Sequence, residues 1–414
     1  MRVLGARSIG VATVSEGMDR HRPGRAKRWS ARAAIVAAFA LLPAAAASPV
    51  TSAQSCVRAS DALAGRGMDV TPRDLEIAVG QMLLVGMAGA GAGEGTVEAT
   101  REAIAQGTLG GVLLLRRNLG TPADIRLLVA QLHPRGAPVK PFLAVDQEGG
   151  RVQRLREEQG VASMPSAAAL AVEGEAEARA VYARNAEALA AYGINVNFGP
   201  VVDLDRERDN PIIGGMGRAY GTEPDAVTRL ARTFLDAHRD RGIATAIKHF
   251  PGHGSSLADT HEGFTDITGS WDEVELEPFA ALLDEADMVM SAHLFHERFA
   301  GPDGVPASLS PLAVDDLLRE EMGYRGVVVT DDLDMGAIAE HYGFEDAVVR
   351  AVAAGNDILL FSRPTRREGF VPDLARRAIC DAVADGRLDG ARIAESATRV
   401  LTLKRERGLM VENG

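Results

Sequence analysis

Eight short, almost uninterrupted apolar runs punctuate the chain, at 81–87, 111–115, 141–146, 196–204, 244–250, 288–293, 326–330 and 357–361. A strand that is apolar at nearly every position must be covered on both faces, the condition of parallel strands packed under helices. The longer segments between the runs carry the helical period instead, as in 167–192, 223–240, 311–321 and 346–354. Thr71-Pro72-Arg73-Asp74 reads as a helix start, with a capping threonine ahead of proline at the first helical position. Eight strand–helix units predict one α/β domain, a single (β/α)8 barrel of the TIM type, rather than an open sheet. No Gly-x-Gly-x-x-Gly opens a helix after the first run, no P-loop is present, and the glycine-rich 88–93 reads as a flexible loop. Without a linker, repeat or composition shift, the expected organisation is a leader over 1–55, an N-terminal extension over 56–75, the barrel over 76–405 and a tail over 406–414.

The leader differs from the rest in charge. Eight of the 45 basic residues but two of the 57 acidic ones fall within 1–55, so the remainder carries a formal charge of −18 against −12 for the whole. An acidic body does not suit nucleic acid, which needs a basic surface. Within the leader, basic residues precede the apolar run 33–42, then Pro43 and the alanines 44–47. That order is expected of an export signal, with cleavage after Ala47 or Ala53, and the run is too short to span a bilayer. Export to the periplasm or beyond would place Cys56 and Cys380 in an oxidising compartment, either as a disulfide or as two free thiols. Ala53-Gln54-Ser55 is a poor approach to a lipidated Cys56.

In a barrel of this kind the site is built where the strands end. The third run ends at Asp146, the fifth at Lys248-His249, the sixth at His293 and the seventh at Asp331-Asp332. His253, Asp259 and His261 follow the fifth run, and Arg218 lies in Gly214-Gly215-Met216-Gly217-Arg218 after the fourth. Any one of these could simply cap a strand. Four strand ends bearing ionisable groups at one rim point to acid–base or nucleophilic chemistry on a polar substrate.

A metal-dependent hydrolase would draw ligands from His249, His253, His261, His293 and Asp331. The first run lacks a His-x-His pair, however, and Pro251-Gly252 prevents His249 and His253 from sharing a helix face. No metal or other cofactor is expected. A metal-free glycosidase needs a carboxylate at the anomeric carbon and a proton donor for the leaving oxygen. Asp331, at the end of Gly326-Val327-Val328-Val329-Thr330, suits the first role. Asp259-Thr260-His261 suits the second, since a carboxylate two residues away can orient an imidazole, a group that ordinarily titrates near pH 6.5.

Lys248-His249-Phe250-Pro251-Gly252-His253-Gly254 with Asp259-Thr260-His261 resembles the signature of family 3 glycoside hydrolases, in particular the bacterial β-N-acetylglucosaminidases. Ala144-Val145-Asp146-Gln147-Glu148-Gly149-Gly150-Arg151-Val152-Gln153-Arg154, Asn197-Phe198-Gly199-Pro200-Val201-Val202-Asp203, Met290-Ser291-Ala292-His293 and Val329-Thr330-Asp331-Asp332-Leu333-Asp334-Met335 are similar to four further blocks. The resemblance runs in order from about 76 to 405. It implies a retaining mechanism with Asp331 as nucleophile and His261 as acid/base, assisted by Asp259. Asp146, Arg154, Arg218, Lys248 and His249 would bind the terminal sugar, with His293 and Met335 lining the wall. Thr260 stands where serine is frequent, and Ser255-Ser256 where Asp-Thr is often found, so the shape of this loop is the least defined part. The resemblance also implies a barrel without the additional C-terminal domain of the larger β-glucosidases.

The expected activity is release of terminal β-linked N-acetylglucosamine from peptidoglycan- or chitin-derived fragments. Transfer to phosphate, β-glucosidase activity of the same family, and an inactive envelope sugar-binding protein are the alternatives. The expected partner is a small carbohydrate, and oligomeric state is left open.

Overall fold

The computed structural model describes residues 51–410 apart from 92 and 208. Each of the eight apolar runs contains one strand of a parallel sheet. These are Leu83–Gly86 (β1), Gly111–Leu113 (β2), Phe142–Val145 (β3), Val196–Asn197 (β4), Ala244–Phe250 (β5), Met288–Ser291 (β6), Val327–Thr330 (β7) and Leu359–Phe361 (β8). They pair in sequence order from β1 to β7, and β8 pairs with β1 with Leu83 opposite Leu359. Between β7 and β8 the circuit is completed by one bridge, Val329 to Ile358, rather than by a ladder. The result is a nearly closed eight-stranded barrel.

Alternation explains why the runs are apolar throughout. Leu84, Phe142, Ala144, Ala246, Met288, Met290, Val327, Val329 and Leu360 point into the barrel and form its inner core. Their neighbours Leu83, Val85, Leu143, Val145, Leu359 and Phe361 pack outward under helices, as do Ile247, Val289 and Val328. Both phases of each strand therefore bury apolar surface.

Two helices precede the barrel, Ser52–Ala64 (α1) and Pro72–Gln81 (α2). Thr71 caps α2 as expected, its hydroxyl accepting from the Asp74 N–H at 3.1 Å with Pro72 at the first position. The outer layer comprises Val97–Ala105 (α3), Pro122–Gln131 (α4), Glu175–Ala191 (α5) and Pro224–Arg239 (α6). It continues with Glu277–Leu282 (α7), Leu312–Glu321 (α8), Phe344–Ala353 (α9) and Val371–Ala384 (α10). The segment expected as one helix over 167–192 is broken at Gly174, whose φ of 94° lies outside the helical region, so a short Ala167–Glu173 piece precedes α5. In α8 the hydrogen bonds are wound as in a π-helix.

The last helix, Gly390–Glu406 (α11), closes the N-terminal end of the barrel with Val400 and Leu403 in the inner core. Lys404, fully buried there, donates to Gln81 Oε1 and the Gly110 carbonyl, both at 2.7 Å. Cys56 in α1 and Cys380 in α10 form a disulfide with their Cα atoms 4.9 Å apart. That choice was open from sequence; a disulfide typically contributes about 2–4 kcal/mol. The expected leader lies outside the described residues except for 51–55, which open α1. No helix among the described residues is long and apolar enough to cross a membrane.

Candidate active site

The inward phase of the strands, continued past their last apolar residue, places the charged groups. Asp146 follows Ala144 by two positions, Lys248 follows Ala246, and Asp331 follows Val329, so all three emerge inside the C-terminal mouth. There they line a cavity of about 470 Å3, floored by Leu113, Met290 and Leu360. A larger recess of about 680 Å3 opens at the other end, beside Arg399 and Arg407. Two of its guanidinium groups are already committed, Arg399 to Asp357 at 3.1 Å and Arg407 to Asp287. The strand ends direct the polar chemistry to the smaller cavity.

One side of the cavity is a continuous chain of buried and half-buried charges. Lys248 Nζ lies 3.0 Å from Asp146 Oδ1 and 2.7 Å from Glu148 Oε1. Arg218 holds the two oxygens of Glu148 at 2.8 Å each, a bidentate pair. Arg154 reaches the other oxygen of Asp146 at 3.0 Å. His249 sits 3.3 Å from Arg218 and donates from Nδ1 to Asp203 at 2.6 Å. Burial works against every carboxylate here, but the adjacent cations outweigh it and hold Asp146 and Glu148 below their ordinary values. Burial likewise opposes ionisation of Asp203, and its hydrogen-bonded histidines again win. The carboxylates in turn keep Lys248 and Arg218 charged despite their burial.

Asp331 continues this side at the end of β7. Its N–H donates to the Ser291 carbonyl at 2.8 Å, and its Oδ1 accepts from the Asp332 N–H at 2.8 Å. Burial pushes its carboxyl up, but His249, His293, His261 and the Asp332 N–H together bring it down to about 2. Asp332, one residue on, behaves in the opposite way. Burial lifts it to about 6, and its Oδ1 is spent on the N–H groups of Ser362 and Asp334.

The remaining wall comes from the loop after β5. His261 Nδ1 lies 2.7 Å from Asp259 Oδ1, and the same oxygen accepts the His261 N–H at 2.8 Å. The His261 side chain is 63% exposed. The loop rests on the chain just beyond Asp331, with the Gly336 and Ala337 N–H groups donating to the carbonyls of His261 and Thr260. Asp259, His261 and Asp331 thus line one cavity, together with Met335.

Of the residues expected at the site, Asp146, Arg154, Arg218, Lys248, His249, Asp259, His261, Asp331 and Met335 line the cavity. His293 does not. It lies in the outward phase of β6, with Val289, and spends Nδ1 on Ser308 at 2.7 Å and Nε2 on the Asp332 carbonyl at 2.9 Å. It braces the Asp331 turn from behind instead of forming a wall. His253, weighed above as a metal donor, is also internal, with its ring nitrogens on Ser256 and Thr260. Glu148 and Asp203 were missed as site residues. Asp203 was legible by the strand-end rule, since it lies one residue from the end of the 196–204 run.

Residues 74–403 match the Glycosyl hydrolase family 3 N terminal domain. The chain belongs to glycosyl hydrolase family 3. Within it, Beta-hexosaminidase A of Pseudoalteromonas piscicida is 31% identical over 326 residues, 73% of this chain, which spans about half (54%) of that relative's length. A beta-hexosaminidase of Stenotrophomonas maltophilia is 34% identical over 342 residues, covering 77% of this chain and 98% of the relative. Among solved structures, a glycoside hydrolase family 3 beta-N-acetylglucosaminidase from Paenibacillus sp. superposes with a TM-score of 0.73 at 36% identity, over 82% of this chain and 65% of that one.

Proposed function

We propose that this family 3 chain is a retaining exo-β-N-acetylglucosaminidase acting on peptidoglycan- or chitin-derived fragments. The observation that carries the reading is that Asp331 and the Asp259–His261 pair line the same cavity at the C-terminal ends of the strands. Ionised Asp331 attacks the anomeric carbon; the C1–O bond breaks, and its electron pair takes the proton from His261 as the aglycone leaves. A water then gives a proton to the His261 imidazole while its oxygen displaces Asp331 from C1, restoring both groups. Asp259 orients the imidazole and offsets its positive charge. Asp146, Arg154, Arg218, Lys248 and His249 bind the hydroxyls of the terminal sugar, against Met335.

The named activities of the hexosaminidase and acetylglucosaminidase relatives support the 2-acetamido preference. Arg151 lines the cavity exposed and with no ion pair among the described residues, which favours an aglycone bearing a carboxylate, as a muropeptide does. Export of the chain is supported by the disulfide. Cleavage after Ala47 would keep Thr51, whose hydroxyl and N–H form a capping box with Gln54, whereas cleavage after Ala53 would remove it.

The test is a panel of aryl β-glycosides that differ only at the 2-position, assayed with and without inorganic phosphate. Free N-acetylglucosamine is expected from the 2-acetamido substrate in both conditions. Asp331→Ala should lower turnover by roughly 10³-fold or more, and near-wild-type turnover in that variant refutes the assignment. Sugar phosphate as the main product would move the reaction to phosphorolysis.

A further inference from the structure

The loop that carries Asp259 and His261 is held at its root by groups that do not touch the cavity. Asp203 accepts the N–H groups of His249 and His253 at 3.0 and 2.9 Å. Asn210 donates to the carbonyls of His253 and Gly254 at 2.8 and 3.2 Å. From below comes the stretch leading into α7, where the Trp271 indole N–H donates to the Pro251 carbonyl at 3.0 Å. Glu275, 1% exposed, accepts the Gly254 N–H on Oε2 at 2.9 Å.

Glu275 is an unusual choice for such a place. It has no ion pair among the described residues, and its Oε1 has no hydrogen-bond partner there. The groups around it are the buried Ser255 hydroxyl, the Asp203 carboxylate and Arg206. Burial is the largest influence and Asp203 adds to it, so the carboxyl is pushed up to about 7 against the pull of Ser255, Gly254 and Arg206. The fit is close. A Cβ on Gly252, where φ is 120°, would fall 2.7 Å from the Glu275 Cβ, and one on Gly254 would fall 1.7 Å from the Leu204 carbonyl oxygen. From Gly254 the contact passes to His253, whose ring engages Ser256 and Thr260, the residue between Asp259 and His261.

We infer that Glu275 is a positioning residue for the acid/base step, clamping the root of the 249–261 loop through Gly254 so that His261 stands at the leaving oxygen. The inference rests on the proposed role of His261. Its signature is selective: sugar binding, supplied by the strand-end charges, is untouched, while protonation of the leaving group suffers.

The experiment measures kcat/KM, which reports the first bond-breaking step, for aryl and alkyl β-N-acetylglucosaminides from dinitrophenyl, a good leaving group, to methyl, a poor one. Wild type, His261→Ala, Glu275→Ala, Glu275→Asp and Glu275→Gln are compared, with inhibition by N-acetylglucosamine as the measure of sugar binding. Glu275→Ala is expected to lose ~10-fold or more on poor leaving groups and less than ~3-fold on dinitrophenyl, with inhibition unchanged. Glu275→Asp, one methylene short of Gly254, should show the same slope and serves if the alanine variant does not fold. Glu275→Gln keeps an acceptor for the Gly254 N–H and should restore wild-type dependence. A steep profile for His261→Ala beside a level loss across all leaving groups for Glu275→Ala and Glu275→Asp overturns this inference alone. A level profile for His261→Ala overturns the acid/base reading and this inference with it.

Discussion

Two groups of side chains share the cavity and are held in opposite ways. The strand-end group, Asp146, Glu148, Lys248, Arg218 and His249, is buried or half-buried, and each charge is fixed by a partner at 2.6–3.3 Å. The loop group, Asp259 and His261, is partly exposed and hangs from a root pinned by Asp203, Asn210 and Glu275. Recognition of a sugar's hydroxyls gains from charges that cannot rearrange, because their geometry is set before substrate arrives. Proton transfer needs a group in contact with the leaving oxygen and then with water, which exposure allows. On the proposed reading, the two demands are divided between strands and loop.

The sharpest way to break this contrast is to remove one member from each group. His261→Ala should lower kcat/KM on poor leaving groups by ~10²–10⁴-fold and leave the melting temperature unchanged, since the lost side chain is largely solvated. Glu148→Ala should cost about 3–5 kcal/mol of stability, because it leaves Lys248 and Arg218 buried without that partner. Thermal unfolding of both variants checks the pair; equal destabilisation would erase the distinction.

The pH dependence of stability sharpens the same comparison, because one residue at the loop root, Glu275, is shifted in the opposite direction from the carboxylates held among cations and histidines. Asp146, Glu148, Asp203 and Asp331 titrate lower in the fold than in the unfolded chain. Their contribution is complete above about pH 4 and is lost as the pH falls from there toward 2. Glu275 is shifted the other way, so its contribution is complete below about pH 4.5 and is lost as the pH rises through about 7. Glu275→Gln should therefore gain roughly 1–3 kcal/mol over wild type at pH 8 relative to the difference at pH 5. Denaturant unfolding at the two pH values measures it, and an equal difference at both would remove Glu275 from the set.

The strands were legible because a strand buried on both faces must be apolar in both phases, and eight such runs leave few alternatives to a barrel. The site was legible at Asp146, Lys248 and Asp331 because charge at the end of such a run has to be tolerated by something. Phase was the missing consideration for His293. Met290 is the last inward residue of this strand, and His293 falls in the phase of Val289, which packs outward, a count the run 288–293 already contained. Glu148 was harder to read, because its partners Arg218 and Lys248 are 70 and 100 residues away and its burial follows only from their convergence. The disulfide was undecidable from spacing, since nothing in the sequence states that α1 lies against α10.

That disulfide has a consequence beyond stability. It joins the first described helix to the last one of the barrel's outer layer, on either side of a separation of 324 residues. Nearly the whole barrel is thereby one covalent ring. A protease that cuts any single surface loop between positions 57 and 379 opens the ring without dividing it, so a clipped molecule keeps its full mass until a reductant separates the pieces.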